Sequence, residues 1–283
     1  MKKLSLFAAL VSLFFLSSSL HAQPHPSAQS ISDSWIANGM GYDSSNRFDS
    51  SIVCYSHALA ADSSSVEALW RLANAYFRSD SVRSSIDCCF RAIGLDPKNK
   101  DVYYLLGSVY FSQHSYKSAE EYLRRATEFG GPSFVNAWCR LAESYLLLND
   151  TAQAEACLRS VIDNDPSFQR AYFLLGEVCR NRGDNAAALE WYGSAIRKFP
   201  LYPEALYSMA LCYSNIANLK GAIDCLNKVV KLQPDNSEAL FLLGRSLYLN
   251  GDSEKAAVHL RHALDLNPHL EPAKALLSAI QGY

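Results

Sequence analysis

The sequence predicts an all-α fold, a solenoid of seven helix-turn-helix repeats followed by a capping helix. Three observations support this fold class. A pattern of apolar and small residues returns every 34 residues, its eighth position is always Gly or Ala, and proline follows most of the second helices. Such a period is typical of one helix pair stacked along a solenoid, because a single pair cannot bury its apolar face alone.

The first 22 residues predict a signal peptide that does not belong to the fold. Two lysines precede the apolar stretch from Leu4 to Leu16, which is too short to span a membrane. Cleavage is expected after Ala22, and no Cys follows it that would indicate a lipoprotein anchor. We therefore expect a bacterial-type exported protein, periplasmic or secreted. Residues 23–31, with two prolines and no apolar periodicity, predict a flexible leader.

Seven repeats account for the chain from residue 32 to residue 270. Their predicted boundaries are 32–65, 66–99, 100–134, 135–168, 169–202, 203–236 and 237–270. The third repeat is one residue longer because of an insertion in the Gly130-Gly131-Pro132 turn. Residues 271–283 repeat the spacing of a first helix and then stop, which predicts a capping helix.

Residue size along each repeat predicts how the helices pack. Small residues at positions 8, 20 and 27 allow the two helices of a repeat to approach closely, and larger residues at positions 4, 7, 11 and 24 fill the space between repeats. The turn between the two helices carries Gly183 in the fifth repeat and Gly251 in the seventh, where a positive φ is expected. Proline ends the second helix because it has no amide proton to donate.

Composition and motifs exclude several classes of function. The formal net charge is −2, so no bulk electrostatic attraction to nucleic acid is expected. No later apolar run reaches membrane-spanning length, and the sequence contains no phosphate loop or nucleophile elbow. His259 and His262 share a helix without a third metal ligand, so a solvated pair is expected. Because repeats occupy the chain, we predict no enzyme activity, no cofactor and no metal site.

Eight cysteines in an exported protein ordinarily indicate disulfide bonds. Four of them occupy position 23 of different repeats. Equivalent atoms of stacked helix pairs lie about 10 Å apart, beyond the reach of a disulfide. One candidate pairing remains, Cys179 with Cys212 on neighbouring first helices, and free, semi-buried thiols are the alternative.

The repeat residues resemble those of the tetratricopeptide repeat family. In the third repeat, the family's pattern of Leu-Gly, Tyr, Ala, Phe and Ala is met by Leu106-Gly107, Tyr110, Ala119, Leu123 and Ala126. The departures from the family pattern are Asn38 for Leu, Cys179 for Tyr and Ser63 for Pro. The resemblance implies a right-handed superhelix whose first helices line a concave groove. It also implies ligands that are peptides or segments of partner proteins.

The same resemblance implies that positions 2, 5, 6, 9, 12 and 13 of each repeat line the groove. At these positions aromatic residues alternate with Arg, a combination more typical of a binding surface than of a solvated face. The groove candidates are Trp70, Arg71, Asn74, Phe77, Arg78, Tyr104, Ser108, Phe111, Cys139, Arg140, Glu143, Arg170, Phe173, Glu177, Arg180, Asn181, Tyr207, Asn215, Phe241, Arg245 and Tyr248. The alternative is that these rings bury one another in a tight superhelix.

The predicted function is that of a non-enzymatic adaptor, which binds a protein partner in the groove within the cell envelope. A scaffold for polysaccharide export or cell-wall assembly is one alternative, since rings and Arg also suit a glycan. A regulatory subunit of a separate enzyme is another. Position 5 carries no Lys in any repeat, so the clamp that some family members use for a terminal carboxylate is not expected.

Overall fold

The structure, a computed structural model, describes residues 27–282. These residues form fifteen helices and no strand, which confirms the predicted all-α fold class. They divide into two compact units, residues 27–97 and residues 98–282. The predicted signal peptide and residues 23–26 of the predicted leader lie outside the described residues. Residues 28–31, also predicted to be part of a flexible leader, are instead helical. Within the described range, no helix has both the length and the apolar character needed to cross a membrane.

The first unit contains two helix pairs. Its helices are α1 (Ala28–Ser44), α2 (Phe48–Ala61), α3 (Val66–Arg78) and α4 (Val82–Leu95). Each helix packs against the next one along the chain. Helix α1 begins four residues before the predicted repeat start at Ser32, because the Ser27 hydroxyl caps its first turn by accepting a hydrogen bond from the Ser30 amide at 3.1 Å.

The second unit contains five helix pairs and a final helix. Its helices are α5 (Lys100–Ser112), α6 (Tyr116–Gly130), α7 (Val135–Leu147), α8 (Thr151–Asn164), α9 (Gln169–Asn181), α10 (Asn185–Lys198), α11 (Pro203–Asn215), α12 (Leu219–Leu232), α13 (Ser237–Leu249), α14 (Ser253–Leu266) and α15 (Glu271–Gln281). Consecutive helices pack together, and the first helices α5, α7, α9 and α11 also contact one another in that order. These four helices therefore present one continuous face within the unit.

Polar caps explain where many of the helices begin. A side-chain oxygen accepts a hydrogen bond from a backbone amide in the first turn and so satisfies a donor that has no partner within the helix. In the second unit, Asn99 caps α5, Asp150 caps α8 and Asp184 caps α10 in this way. Helix α11 begins instead with Pro203, whose missing amide proton costs nothing at that position.

The turn between the two helices of each repeat contains one residue in the left-handed region. The predicted positive φ is confirmed at Gly183 (81°) and at Gly251 (89°). The other five repeats carry a non-glycine residue at the equivalent position, also with positive φ: Asn46, Asp80, His114, Asn149 and Ala217. Ala217, with a φ of 57°, lacks the polar side chain that eases this conformation in Asn and Asp.

The close approach expected at position 8 is present, and it is tightest opposite tyrosine. A Cβ added to Gly39 lies 2.4 Å from the ring of Tyr55, and one added to Gly176 lies 2.3 Å from the ring of Tyr192. Both tyrosines are fully buried. Glycine is therefore required at these two positions because the ring occupies the volume of a side chain.

All eight cysteines are free thiols in the structure, so the candidate Cys179–Cys212 disulfide is not formed. Cys212 is completely buried and Cys179 is half-buried, and both pack in the same apolar cluster around Tyr192. The thiols act there as small apolar groups, for which packing requires no covalent bond. Burial raises the pKa of Cys212 to about 11, so the thiol is neutral near pH 7.

Candidate functional site

The groove candidates of the first unit are held by neighbours within that unit. Arg71 forms an ion pair with Glu67 at 2.9 Å and lies over the Trp70 ring at 5.1 Å. Arg78 donates a hydrogen bond to Asn46 at 3.0 Å, and its guanidinium also lies 4.6 Å from the centroid of the Phe48 ring. Asn74 and Phe77 are half-buried. Both guanidinium groups therefore have partners within the first unit, a carboxylate for Arg71 and neutral groups for Arg78.

The second unit concentrates charge on the face formed by its first helices. Arg140 and Glu143 are three residues apart on α7, and Arg170, Glu177 and Arg180 lie on α9. The spacing of three places each Arg–Glu pair on one side of its helix. We call these five residues the arginine–glutamate cluster. It contains three cations and two anions, so its formal charge is +1 at neutral pH.

Glu143 joins two helices through its carboxylate. One oxygen, Oε1, accepts a hydrogen bond from Nε of Arg170 at 2.5 Å, and Nη2 of Arg170 also contacts it. The other oxygen, Oε2, accepts a hydrogen bond from Nη1 of Arg140 at 3.2 Å. Glu143 is only 8% exposed. A buried carboxylate requires such partners, since an unpaired one would be strongly destabilising.

Glu177 makes a second network that reaches the next repeat. Its Oε1 accepts hydrogen bonds from the Tyr192 hydroxyl at 2.5 Å and from Ser208 Oγ at 2.8 Å. Its Oε2 accepts hydrogen bonds from Arg180, the shorter at 2.5 Å. Burial alone would raise the pKa of Glu177, but hydrogen bonds from Arg180, Tyr192 and Ser208 hold it below its usual value. The carboxylate is therefore ionised at neutral pH.

Two cavities lie beside the cluster. The larger, of about 390 Å³, combines charged residues of the cluster with apolar ones. Its lining residues are Phe111, Arg140, Glu143, Leu146, Leu147, Arg170, Leu174, Glu177, Arg180 and Asn181. The smaller, of about 130 Å³, is lined by Tyr104, Asn136, Cys139, Arg140, Glu143, Phe168 and Arg170. Arg140, Glu143 and Arg170 line both cavities and so form the wall between them.

Ring contacts fix the orientation of Arg140 and the surroundings of the smaller cavity. The Arg140 guanidinium lies 5.0 Å from the centroid of the Phe111 ring, and Tyr104 makes an edge contact with Phe134 at 5.4 Å between ring centroids. Burial raises the pKa of Cys139 to about 12. Its thiol is thus neutral and adds no charge to the smaller cavity.

The structure brings together only some of the predicted groove residues. Phe173 packs against Tyr192 and Tyr202, at 5.9 Å and 5.4 Å between ring centroids. Tyr207 is half-buried, and burial raises the pKa of its hydroxyl. Phe241 is half-buried as well, whereas Arg245 and Tyr248 are exposed on α13. None of these residues lines the two cavities beside the cluster.

Several residues of the site carry no sequence signal of their own. Leu146, Leu147 and Leu174 form the apolar part of the larger cavity, and Ser208 completes the bonding of Glu177. All four occupy positions 6, 12 or 13 of their repeats, which are positions that the family resemblance assigns to the groove. An aliphatic residue or a serine at such a position has no distinctive chemistry, so only the structure identifies its role.

Family models match three stretches of the chain. A tetratricopeptide repeat model matches residues 139–203, which include all five residues of the arginine–glutamate cluster. A model of the second ARM domain of tetratricopeptide repeat protein 21 matches residues 199–282. A model of subunit 3 of the anaphase-promoting complex, or cyclosome, matches residues 44–126. Together these matches extend from the first repeat to the final helix.

Known proteins give the same picture of the fold. The chain is 27% identical over 114 residues to protein O-mannosyl-transferase Tmtc3 of Drosophila melanogaster, a match covering 40% of this chain and 12% of that protein. A tetratricopeptide repeat protein from Parabacteroides merdae has a similar structure, with a TM-score of 0.67, 15% identity, and coverage of 88% of this chain and 98% of that one. The APC/C hetero-tetramer Cut9-Hcn1 is similar over 94% of this chain and 50% of that one, with a TM-score of 0.69 and 12% identity.

Proposed function

Since the chain belongs to the tetratricopeptide repeat family, we propose that it is a non-enzymatic adaptor of the cell envelope that binds a protein partner on the first helices of its second unit. The observation that carries the proposal is the arginine–glutamate cluster beside a cavity of about 390 Å³. A solenoid acts through such extended surfaces, which several stacked repeats build together. The similarity to one chain of a hetero-tetramer agrees with a role in protein assembly.

The chemistry of the cavity suits a protein segment. Arg140 and Arg180 supply charged donors that are one-third exposed, and Leu147 supplies apolar surface that is half exposed. Interfaces combine these elements, since a partly desolvated Arg binds carboxylates and apolar side chains fill the space beside it.

The aromatic residues of this face favour a protein over a glycan. A sugar ring stacks on a free aromatic face, but Phe111 lies under the Arg140 guanidinium and Phe173 packs against two tyrosines. The rings are thus occupied by contacts within the chain. The proposed envelope location has a separate basis, the predicted signal peptide with its apolar stretch from Leu4 to Leu16.

Recovery of partners from an envelope extract tests the proposal. The tagged chain is expected to retain one protein at a fixed stoichiometry, and the double variant Arg170→Gln with Leu147→Ser is expected to lose it. The control combines Arg159→Gln and Leu201→Ser, because Arg159 pairs with Glu155 on α8 and Leu201 is 76% exposed, both outside the two cavities.

Three outcomes would count against an adaptor that binds its partner on the first helices of the second unit. One is recovery of a glycan without any protein. Another is equal loss of the partner in the control variant. The third is loss of the partner only when Trp70 and Arg71 are replaced by Ala, because that result places binding on the first unit.

A further inference from the structure

The two cavities beside the arginine–glutamate cluster define a more specific ligand than a protein segment in general. This inference rests on the proposed function and concerns the same site.

The cluster has more donors than its own carboxylates use. Each guanidinium has five N–H groups, whereas Arg140 gives one to Glu143 and Arg180 gives two nitrogens to Glu177. Both oxygens of Glu143 and of Glu177 already accept hydrogen bonds. Among the described residues no further carboxylate lines either cavity. The surplus charge of +1 therefore has no counter-ion on the protein side of the cavities.

The guanidinium groups that carry this excess positive charge are partly shielded from water. The side chains of Arg140 and Arg180 are each 33% exposed, and that of Arg170 is 56% exposed. Charge-assisted hydrogen bonds are stronger where water is partly excluded, and a guanidinium prefers the planar oxygens of a carboxylate. An acidic side chain of the ligand would therefore complement the positive charge at this wall.

The apolar surfaces lie on both sides of the same wall. The larger cavity carries Phe111, Leu146, Leu147 and Leu174, and the smaller cavity includes Tyr104 and Phe168 among its lining residues. Cys139 lines only the smaller cavity and Leu146 only the larger one, and these two residues lie about 10 Å apart along α7 at 1.5 Å per residue. An extended chain covers that distance in about three residues.

We infer that the second unit binds a segment of its partner in which one acidic side chain lies between two apolar side chains about three residues apart. The carboxylate contacts the free N–H groups of Arg140 and Arg170. The bulkier apolar side chain enters the larger cavity, and the less bulky apolar side chain enters the smaller cavity. The acid belongs to a side chain within the segment, because the groove continues on both sides of the wall.

Selection from a library of displayed random heptapeptides tests this inference with the full chain. The expected consensus is Asp or Glu with Leu, Ile, Met or Phe on both sides. A synthetic peptide of that consensus, blocked at both ends, is expected to lose at least about tenfold in affinity when its acid is replaced by the matching amide. Binding is also expected to weaken with added salt.

Variants of the protein separate ligand binding from a merely structural role. Arg170→Gln is expected to weaken the consensus peptide by at least about tenfold, and the Arg159→Gln control is expected to leave it unchanged. Glu143→Gln is expected to strengthen it, because it removes a negative charge and frees donors on two guanidinium groups. A role limited to folding would make Arg170→Gln and Glu143→Gln change affinity in the same direction.

The failures of the two proposals are distinguishable. Enrichment of apolar peptides without an acid, of basic peptides, or of no peptide at all would overturn the acidic–apolar ligand. Recovery of a partner through the Arg170 and Leu147 surface would still support the adaptor in each of those cases. A terminal carboxylate that binds better than the blocked peptide would likewise contradict the internal acid.

Discussion

The first and fifth repeats contain the same close pair of residues, yet they use it differently. In each, a position 8 glycine meets a buried tyrosine whose hydroxyl bonds a carboxylate: Tyr55 with Asp43 at 2.6 Å, and Tyr192 with Glu177 at 2.5 Å. The other oxygen of Asp43 is buried and, among the described residues, has no hydrogen-bond partner. Both oxygens of Glu177 are bonded, to three further donors on α9 and α11.

The difference shows how a repeat acquires a role beyond packing. In the first repeat the tyrosine–carboxylate bond is local to one helix pair. In the fifth repeat the same bond holds Glu177 in a network with Arg180 and Ser208, which links consecutive first helices at the edge of the larger cavity. A carboxylate with all its acceptors satisfied fixes the guanidinium beside it, which is what a pre-organised binding surface requires.

A large destabilisation is expected when a methyl group is added to the two glycines. Gly176→Ala is expected to destabilise the protein by about 1–3 kcal/mol, because the new Cβ meets a ring whose hydroxyl is fixed by Glu177. Gly39→Ala is expected to destabilise the protein less, since the Asp43 carboxylate bonds the Tyr55 hydroxyl through one oxygen and its other oxygen has no hydrogen-bond partner among the described residues. Hydrogen exchange of the backbone amides in α1–α2 and in α9–α10 measures the loss of local stability in each helix pair.

Gly193→Ala is the matched control for this pair. Its added Cβ has Arg197 Nη1 as its nearest neighbour, at 3.5 Å, an ordinary contact at the end of a flexible side chain. Within α10 the substitution is expected to stabilise the protein by about 0.5–1 kcal/mol. Equal stabilisation by Gly176→Ala and Gly193→Ala would show that helix propensity, and not the tyrosine contact, decides the result.

Removing the charge from each carboxylate tests whether Glu177 contributes more to stability than Asp43 does. Glu177→Gln is expected to destabilise the protein by about 1.5–3 kcal/mol, because one acceptor oxygen becomes an NH2 group and the other loses its charge. Asp43→Asn is expected to cost less, since one oxygen of Asp43 has no partner to lose. Urea unfolding followed by tryptophan fluorescence measures both variants, and a larger effect of Asp43→Asn would contradict the account.

The stability contributed by Glu177 is expected to depend on pH. Its pKa is lowered in the folded protein, so the contribution is complete above the usual glutamate value of 4.5 and is lost as the pH falls through the folded value. The difference in melting temperature between the native protein and Glu177→Gln should therefore narrow below pH 4.5. A difference that widens in acid would mean that the carboxylate is not stabilised by its partners.

The smallest expected effect is in the turns. Ala217→Gly is expected to stabilise the protein by up to about 1 kcal/mol, because Ala217 has a φ of 57°. The entropy that glycine adds to the unfolded chain offsets part of the gain. Gly183→Ala, at the equivalent position with a φ of 81°, is expected to destabilise the protein. Melting temperatures that move in the same direction would contradict this assignment of strain.

The fold could be predicted from the sequence because residue sizes at the repeat positions indicate how the helices pack. A glycine such as Gly176 and a turn residue such as Gly183 identify their own positions by size and by conformation. Ala217 and the start of α1 could not be predicted. The tight turn within the sixth repeat holds Ala217 at a positive φ against its local preference, and a single serine cap extends α1.

The site was less accessible from the sequence. Arg140 and Glu143 could be assigned to the groove from their repeat positions, but their pairing with Arg170 depends on how two repeats stack. The groove assignment that they share does not distinguish Phe111, which lies at the larger cavity, from Phe173, which packs against two tyrosines. Whether a ring lines the cavity or is covered by its neighbours depends on the rotamers of the surrounding side chains. No pattern in a single sequence predicts those rotamers.

Hydrogen–deuterium exchange of the full chain, with and without its recovered partner, tests the central claim most directly. Bound partner is expected to slow exchange in α7 and α9, where the arginine–glutamate cluster lies, and to leave α8 and α10 unchanged. Protection confined to α1–α4, or to the second helices of the second unit, would contradict the placement of the binding site on this face.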